Sequence, residues 1–214
     1  MRTLTDTRSR RAATLLLCAL LLAGTAAGTP QDDLREARTR GSPTAPVTVY
    51  EMSDFQCPWC GRFARETMPT LDREYIQTGK VKFVFVNFPL PMHPNAAPAA
   101  ELAMCAARQG KFWPVHDFLF SHQDRWVDLR EPGTYFLAIG DSVGASRDEL
   151  ATCMRQGLTR ELVQRDADGS VRSGARSTPT FWVEGGLLVG AQPIEVFRQV
   201  LDSIYAQKTR SRGQ

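Results

Sequence analysis

Cys57-Pro58-Trp59-Cys60 stands at the seam between two segments of opposite periodicity, and that placement constrains the fold more than any other feature of the chain. Before it, Val47–Ser53 is rich in β-branched and aromatic residues and reads as a buried strand. After it, residues 58–77 carry Phe63, Met68, Leu71 and Tyr75 on one helical stripe, with Gly79 past the end. Pro69 is expected to interrupt that helix. Cys57 therefore falls at the N-cap and Pro58 at the first helical position, where a missing N–H leaves no bond unmade. Cys60, three residues on, shares the face of Cys57 and lies within reach of a disulfide. A thiolate on Cys57 meets the unpaired N–H groups and the positive end of the helix, which favour the anion. Stabilising the ionised, reduced form weakens the disulfide, so the pair is expected to be oxidising.

Two other readings of the motif fail on spacing. CxxC is half of a zinc site, but Cys105 and Cys153 are solitary, and His93, His116 and His122 form no ligand pair with them. A purely structural CxxC bridge closes too short a loop to stabilise much. No metal is expected, and no flavin, haem or nicotinamide signature is present, so no cofactor is expected either.

The remaining elements arrange themselves around this unit. Residues 81–88 form a second strong strand pattern. From 94 to 175 the chain turns helical, in an alanine-rich stretch ending at Gly110 and then in segments 112–122, 131–139, 146–156 and 159–167. Two short strands follow at Thr180–Val183 and 187–189, and a last helix over 193–206 carries Ile194, Phe197, Leu201 and Ile204. The order β-α-β, helical block, β-β-α places the chain in the α/β class, with a small central sheet and a helical domain inserted into it. Residues 28–46, polar and holding three prolines, read as a tether. Residues 207–214 read as a basic, frayed tail. Met68, Met92 and Met104 read as hydrophobic filling, His93 as a structural loop histidine, Trp113 and His116 as core packing, and Asp54 as a cap or rim residue.

The first 27 residues have the form of an export signal. A basic stretch ending in Arg10-Arg11 precedes an apolar run over 12–23, followed by small residues at Gly24, Ala26 and Ala27. Extended to Ala27 the run would span about 24 Å as a helix, short of a ~30 Å hydrocarbon core. The alternative is an uncleaved segment that tethers the protein to the membrane. The formal charge of +3 resides here: Arg2, Arg8, Arg10 and Arg11 against Asp6 account for all of it. The remainder is neutral, which argues against a nucleic-acid partner. Cys18 leaves with the signal. Cys57, Cys60, Cys105 and Cys153 remain, an even number suited to an oxidising compartment such as the periplasm, and their spacing alone does not choose the pairing.

Gly41-Ser-Pro-Thr-Ala-Pro-Val-Thr-Val and Ser53-Asp-Phe-Gln-Cys-Pro-Trp-Cys60 together resemble the DsbA-like thiol–disulfide oxidoreductases. The match continues through Phe88-Pro-Leu, Gln109-Gly-Lys-Phe-Trp, His116-Asp117 and Ser177-Thr-Pro-Thr-Phe, and spans residues 41–206. The resemblance implies a thioredoxin fold, formed by residues 47–93 and 176–206, with an inserted helical domain at 94–175. It makes Cys57 the attacking cysteine and Cys60 its buried partner, with Pro58 and Trp59 in contact with substrate. It makes Pro179 the cis-proline facing the disulfide, and Thr178 the residue that offers backbone groups to a substrate strand. Glu51 matches the family's buried acid, placed to ease proton transfer to Cys60; on an alternating strand it would instead point to solvent. Cys105 and Cys153 are implied to form a second, non-catalytic disulfide. Trp59 departs from the histidine that the strongest oxidants of the family carry there, so the thiolate lacks one stabiliser.

The expected function is introduction of disulfides into exported proteins, whose reduced or misoxidised forms are the substrates. Reoxidation by a membrane partner of the DsbB or vitamin-K-epoxide-reductase type is implied by resemblance alone. Running the same chemistry as an isomerase or reductase is the alternative, and a non-redox peptide-binding chaperone is the reading from another class. A monomer is expected.

Overall fold

A computed structural model describes residues 30–212. The expected signal at 1–27, the first two residues of the tether and the last two of the tail lie outside them. Five strands form one sheet: β1 (Thr39–Arg40), β2 (Val47–Ser53), β3 (Val81–Asn87), β4 (Thr180–Val183) and β5 (Gly186–Val189), in the spatial order β1-β3-β2-β4-β5. β2 and β3 run parallel, with Val49 opposite Phe83 and Glu51 opposite Phe85. Parallel neighbours need a crossover, and the helix that begins at Pro58 supplies it. β4 pairs antiparallel with β2, bringing Thr180 opposite Met52. Because side chains alternate along a strand, Val47, Val49, Val81, Phe83, Phe181 and Val183 bury a common face against Phe63, Leu71, Phe197 and Leu201.

The crossover helix, α2, starts as Pro58–Arg62, passes through a π turn at Phe63–Thr67, returns to α geometry at Met68–Leu71 and widens again at Asp72–Ile76. The expected interruption at Pro69 takes this form. A proline ring in a helix crowds the carbonyl four residues back and offers it no N–H, and the π turn loosens the ladder just ahead of it. Gly79, at φ +74°, ends the segment in a conformation that side-chain-bearing residues avoid.

Between β3 and β4 lie α3 (Ala96–Ala107), α4 (Phe112–Ser121), α5 (Gly133–Ser142), α6 (Arg147–Gln156) and α7 (Arg160–Arg172), with a short 3₁₀ turn at Gln123–Arg125. Ser146 caps α6 by accepting from Glu149 N. The block's core joins Leu102, Phe112, Leu119, Trp126, Phe136 and Leu150, and it also includes Phe55, Cys57, Cys60 and Phe85. The cysteine pair is thus packed into the helical block although its backbone belongs to the crossover helix between β2 and β3. His116 is buried among the rings of Phe55, Phe85, Phe112, Trp113 and Phe120, and burial holds its pKa down. The architecture of the described residues is a thioredoxin fold with a helical insertion, as expected.

Two segments differ from the sequence reading. The expected tether contains α1 (Pro30–Ala37) and β1, which pairs antiparallel with β3. A two-residue strand has no periodicity to detect, and its partner lies more than forty positions away. Arg38 forms a buried ion pair with Asp166 on α7, and Asp166 also accepts from Asn87 N and Nδ2, at 3.2 and 2.7 Å. Arg40 covers the Trp113 ring at 4.0 Å. At the other end, α8 (Ile194–Arg212) continues through most of the expected frayed tail, where Lys208 pairs with Glu184.

A disulfide joins Cys105 on α3 to Cys153 on α6, across 48 residues of sequence. Closing a loop of that length in the unfolded chain corresponds to roughly 4 kcal/mol in the chain-entropy treatment. Replacing both cysteines by alanine should lower the unfolding free energy by roughly 2–4 kcal/mol in urea denaturation; an unchanged value would show that the bridge does not hold the block.

Candidate active site

Cys57 adopts φ −68° and ψ 124°, extended, while Pro58 and the residues after it are helical. This is N-cap geometry, and it turns the sulfur back over the first helical turn. The backbone N–H groups of Trp59 and Cys60, in the first turn, favour an anion on that sulfur. On the other side the Cys57 thiol meets the Thr178 carbonyl oxygen at 3.4 Å. The Thr178–Pro179 peptide is cis, and Pro179 O accepts from Gly190 N at 2.8 Å, which pins the loop to the far end of β5.

The two cysteines are free thiols, and their surroundings drive them apart electrostatically. A donated hydrogen bond from Cys60, with help from the backbone N–H groups of Cys60 and Trp59, brings the Cys57 pKa down to about 6 against the opposing effect of burial. Burial pushes Cys60 well up, and its closeness to Cys57 adds to that. At neutral pH one sulfur is an anion and its neighbour keeps the proton. Asp54 N lies 3.5 Å from Cys60 Sγ, the backbone donor nearest the sulfur that must leave when the bridge opens.

Glu51 sits behind Cys60 on β2, 1% exposed, which rules out the solvent-facing alternative. Its Oε1 has no hydrogen-bond partner. Burial raises its pKa to about 8, and the nearby Ser53 hydroxyl and Arg40 charge offset only part of that. A carboxyl that exchanges its proton near neutral pH, in electrostatic contact with Cys60, suits proton transfer to that sulfur.

The structure brings Glu51, Cys57, Pro58, Cys60, Thr178 and Pro179 together. Trp59 projects outward, 56% exposed, and Cys105 and Cys153 are bonded to each other between α3 and α6. Asp54 was expected at a cap or rim and is instead fully buried. Its carboxylate accepts from Gln56 N at 2.7 Å and Leu90 N at 2.8 Å, and His93 Nδ1 stands 2.7 Å away. Asp54 and His93 thereby tie the turn before Cys57 to the loop after β3. Nothing in a single Ser-Asp-Phe run signals this, because the partners come from 36 and 39 positions downstream. Met68 and Met104 are buried, whereas Met92 is 72% exposed on that same loop and fills no core.

The family profile described as "Thioredoxin" matches residues 34–203. The chain belongs to the thioredoxin family. Within it, the chain has the DsbA-like architecture. The crystal structure of Wolbachia pipientis alpha-DsbA1 superposes with a TM-score of 0.73 at 22% identity, covering 81% of this chain and 93% of that one. Disulfide bond formation protein D of Bacillus subtilis is 26% identical over 183 residues, 80% of this chain and 78% of that protein. The Na(+)/H(+) antiporter NhaA 3 of Salinispora tropica is 36% identical over 180 residues. That match takes in 83% of this thioredoxin-family chain and only 26% of the antiporter, so the chain spans about a quarter of that relative's length.

Glu51 gives a pH-dependent stability whose sign is fixed. Its folded pKa lies above the ordinary carboxyl value, so between about 4.5 and about 8 the folded state holds a proton that the unfolded state has released. Stability therefore falls as pH rises through that window. Glu51→Gln should remove this fall, leaving the variant more stable than the parent at pH 8 relative to pH 5 in paired urea titrations. Parallel curves would place the Glu51 pKa in its ordinary range.

Proposed function

We propose that this chain is exported and introduces disulfides into exported proteins, acting as the oxidant. The observation that carries this reading is the asymmetry of the pair: a Cys57 thiolate favoured by its hydrogen bonds beside a Cys60 thiol that burial holds protonated. A dithiol whose reduced form is stabilised gives up its disulfide readily.

In the oxidised protein a substrate thiolate attacks Cys57 Sγ. The Cys57–Cys60 bond breaks, a mixed disulfide forms at Cys57, and Cys60 departs as a thiolate that takes up a proton. Glu51 is the nearby carboxyl suited to supply it. A second substrate thiolate attacks the substrate sulfur of the mixed disulfide, and Cys57 leaves as the stabilised anion. Two substrate thiols have become a disulfide, and the pair has gained two electrons. Thr178 is placed to pair its backbone with an extended substrate segment beside Pro179, while Pro58 and exposed Trp59 form the near wall. Turnover needs a two-electron acceptor. A membrane reoxidant of the DsbB or vitamin-K-epoxide-reductase type fills that role in this reading, and a monomer working outside the cytoplasm is the expected form.

Equilibration with glutathione should give a reduction potential well above about −270 mV, and the oxidised protein should oxidise a reduced, unfolded substrate. A Cys60→Ser variant should accumulate the mixed disulfide, and Cys57→Ser should form none. A potential near the thioredoxin value of about −270 mV, with no oxidation of the substrate, would assign the chain to the reductive direction instead.

A further inference from the structure

The helix that carries the cysteine pair has a glycine immediately after Cys60, in a first turn where glycine weakens a helix by about 1 kcal/mol relative to alanine. The reason lies in the helical insertion. A Cβ on Gly61 would stand 2.0 Å from Gln123 Oε1 and 2.6 Å from its carboxamide carbon. Gln123, on the 3₁₀ turn after α4, is buried and fills this space. Its Nε2 donates to Phe55 O at 2.7 Å and to Cys57 O at 3.0 Å. The orientation of the carboxamide is set from outside, because Arg65 Nη1 donates to Gln123 Oε1 at 3.3 Å and to Phe120 O at 2.6 Å.

We propose that Gln123 is a positioning residue for the Cys57 nucleophile, its carboxamide holding the carbonyls on either side of the turn so that the first N–H groups of α2 point at the sulfur. The inference rests on the exchange reading above and assigns it a contribution from the inserted domain. Cys57 O carries partial negative charge in the same residue as the reactive sulfur. It accepts from Gly61 N at 3.1 Å and from Gln123 at 3.0 Å. With both donors in place, less of that charge opposes the thiolate, and the peptide planes on either side of Cys57 are fixed. Without the carboxamide, a buried carbonyl loses a partner next to a developing anion. Gly61 is the compensating vacancy: the helix forgoes a side chain there, and the carboxamide takes its place.

The test reads ultraviolet thiolate absorbance of the reduced full chain against pH. Gln123→Met, similar in length but unable to donate, should raise the thiolate midpoint by about half to one pH unit, a roughly three- to tenfold loss of thiolate at a fixed pH below it. Gly61→Ala, whose methyl displaces the carboxamide, should shift the midpoint in the same direction. In Gly61→Ala/Gln123→Ala the overlap is relieved, so the thermal midpoint should recover from that of Gly61→Ala while the thiolate midpoint stays raised. This pair decides the matter if Gln123→Met does not fold. Midpoints within about 0.1 unit of the wild type, or a midpoint that returns with thermal stability in the double variant, would overturn the inference and leave Gln123 a packing residue. A wild type unable to exchange disulfides would instead defeat the exchange reading, with the thiolate midpoints still measurable.

Discussion

The reactivity of this chain depends on one meeting: a sulfur at an N-cap and the unpaired N–H groups of the helix that follows. Cys57 is extended and Pro58 opens the helix, so the sulfur turns over the first turn and not along the strand. Helix N-termini favour anions because several donors there have no partner in the chain. The rest of the architecture bears on that point. β2 delivers the turn, β4 ends the cis-proline loop opposite it, and Glu51 and Cys60 occupy the dry space beneath.

The helical insertion does more than cover the sheet. Cys57 and Cys60 pack in its core and not against the face of the sheet that Phe63 and Phe197 cover. Phe55 stacks on Phe85 and packs against Phe120, Gln56 donates to Val127 O, and Gln123 reaches the carbonyls beside the nucleophile. A turn that ended in solvent would be free to rotate its peptide planes, and here it is held on three sides. Pro58 and Trp59 are the members of the motif left outside, where an incoming chain would meet them.

Much of this was legible before any coordinates. The strand-to-helix change of period located the cysteine pair, and β2, β4 and the start of α2 lie where the pattern put them. The helices of the insertion shifted by a few residues at their ends, as periodic patterns with weak caps do. What escaped has a common physical cause, dependence on distant partners. β1 is two residues long and exists because β3 accepts it. Asp54 reads as a turn residue until Leu90 and His93 arrive from the next loop. Gln123 is one polar residue in Ser-His-Gln-Asp-Arg, without sequence distinction. The one local signal for it was Gly61, a glycine standing in a helix where no turn required it.

The account stands on the claim that the fold turns Cys57 into an anion near neutral pH. Thiolate absorbance of the reduced wild type, titrated beside Cys57→Ser, tests it directly. A step near pH 6 that is absent from the serine variant is the predicted result. A first ionisation near pH 9, the ordinary value for a cysteine thiol, would contradict it.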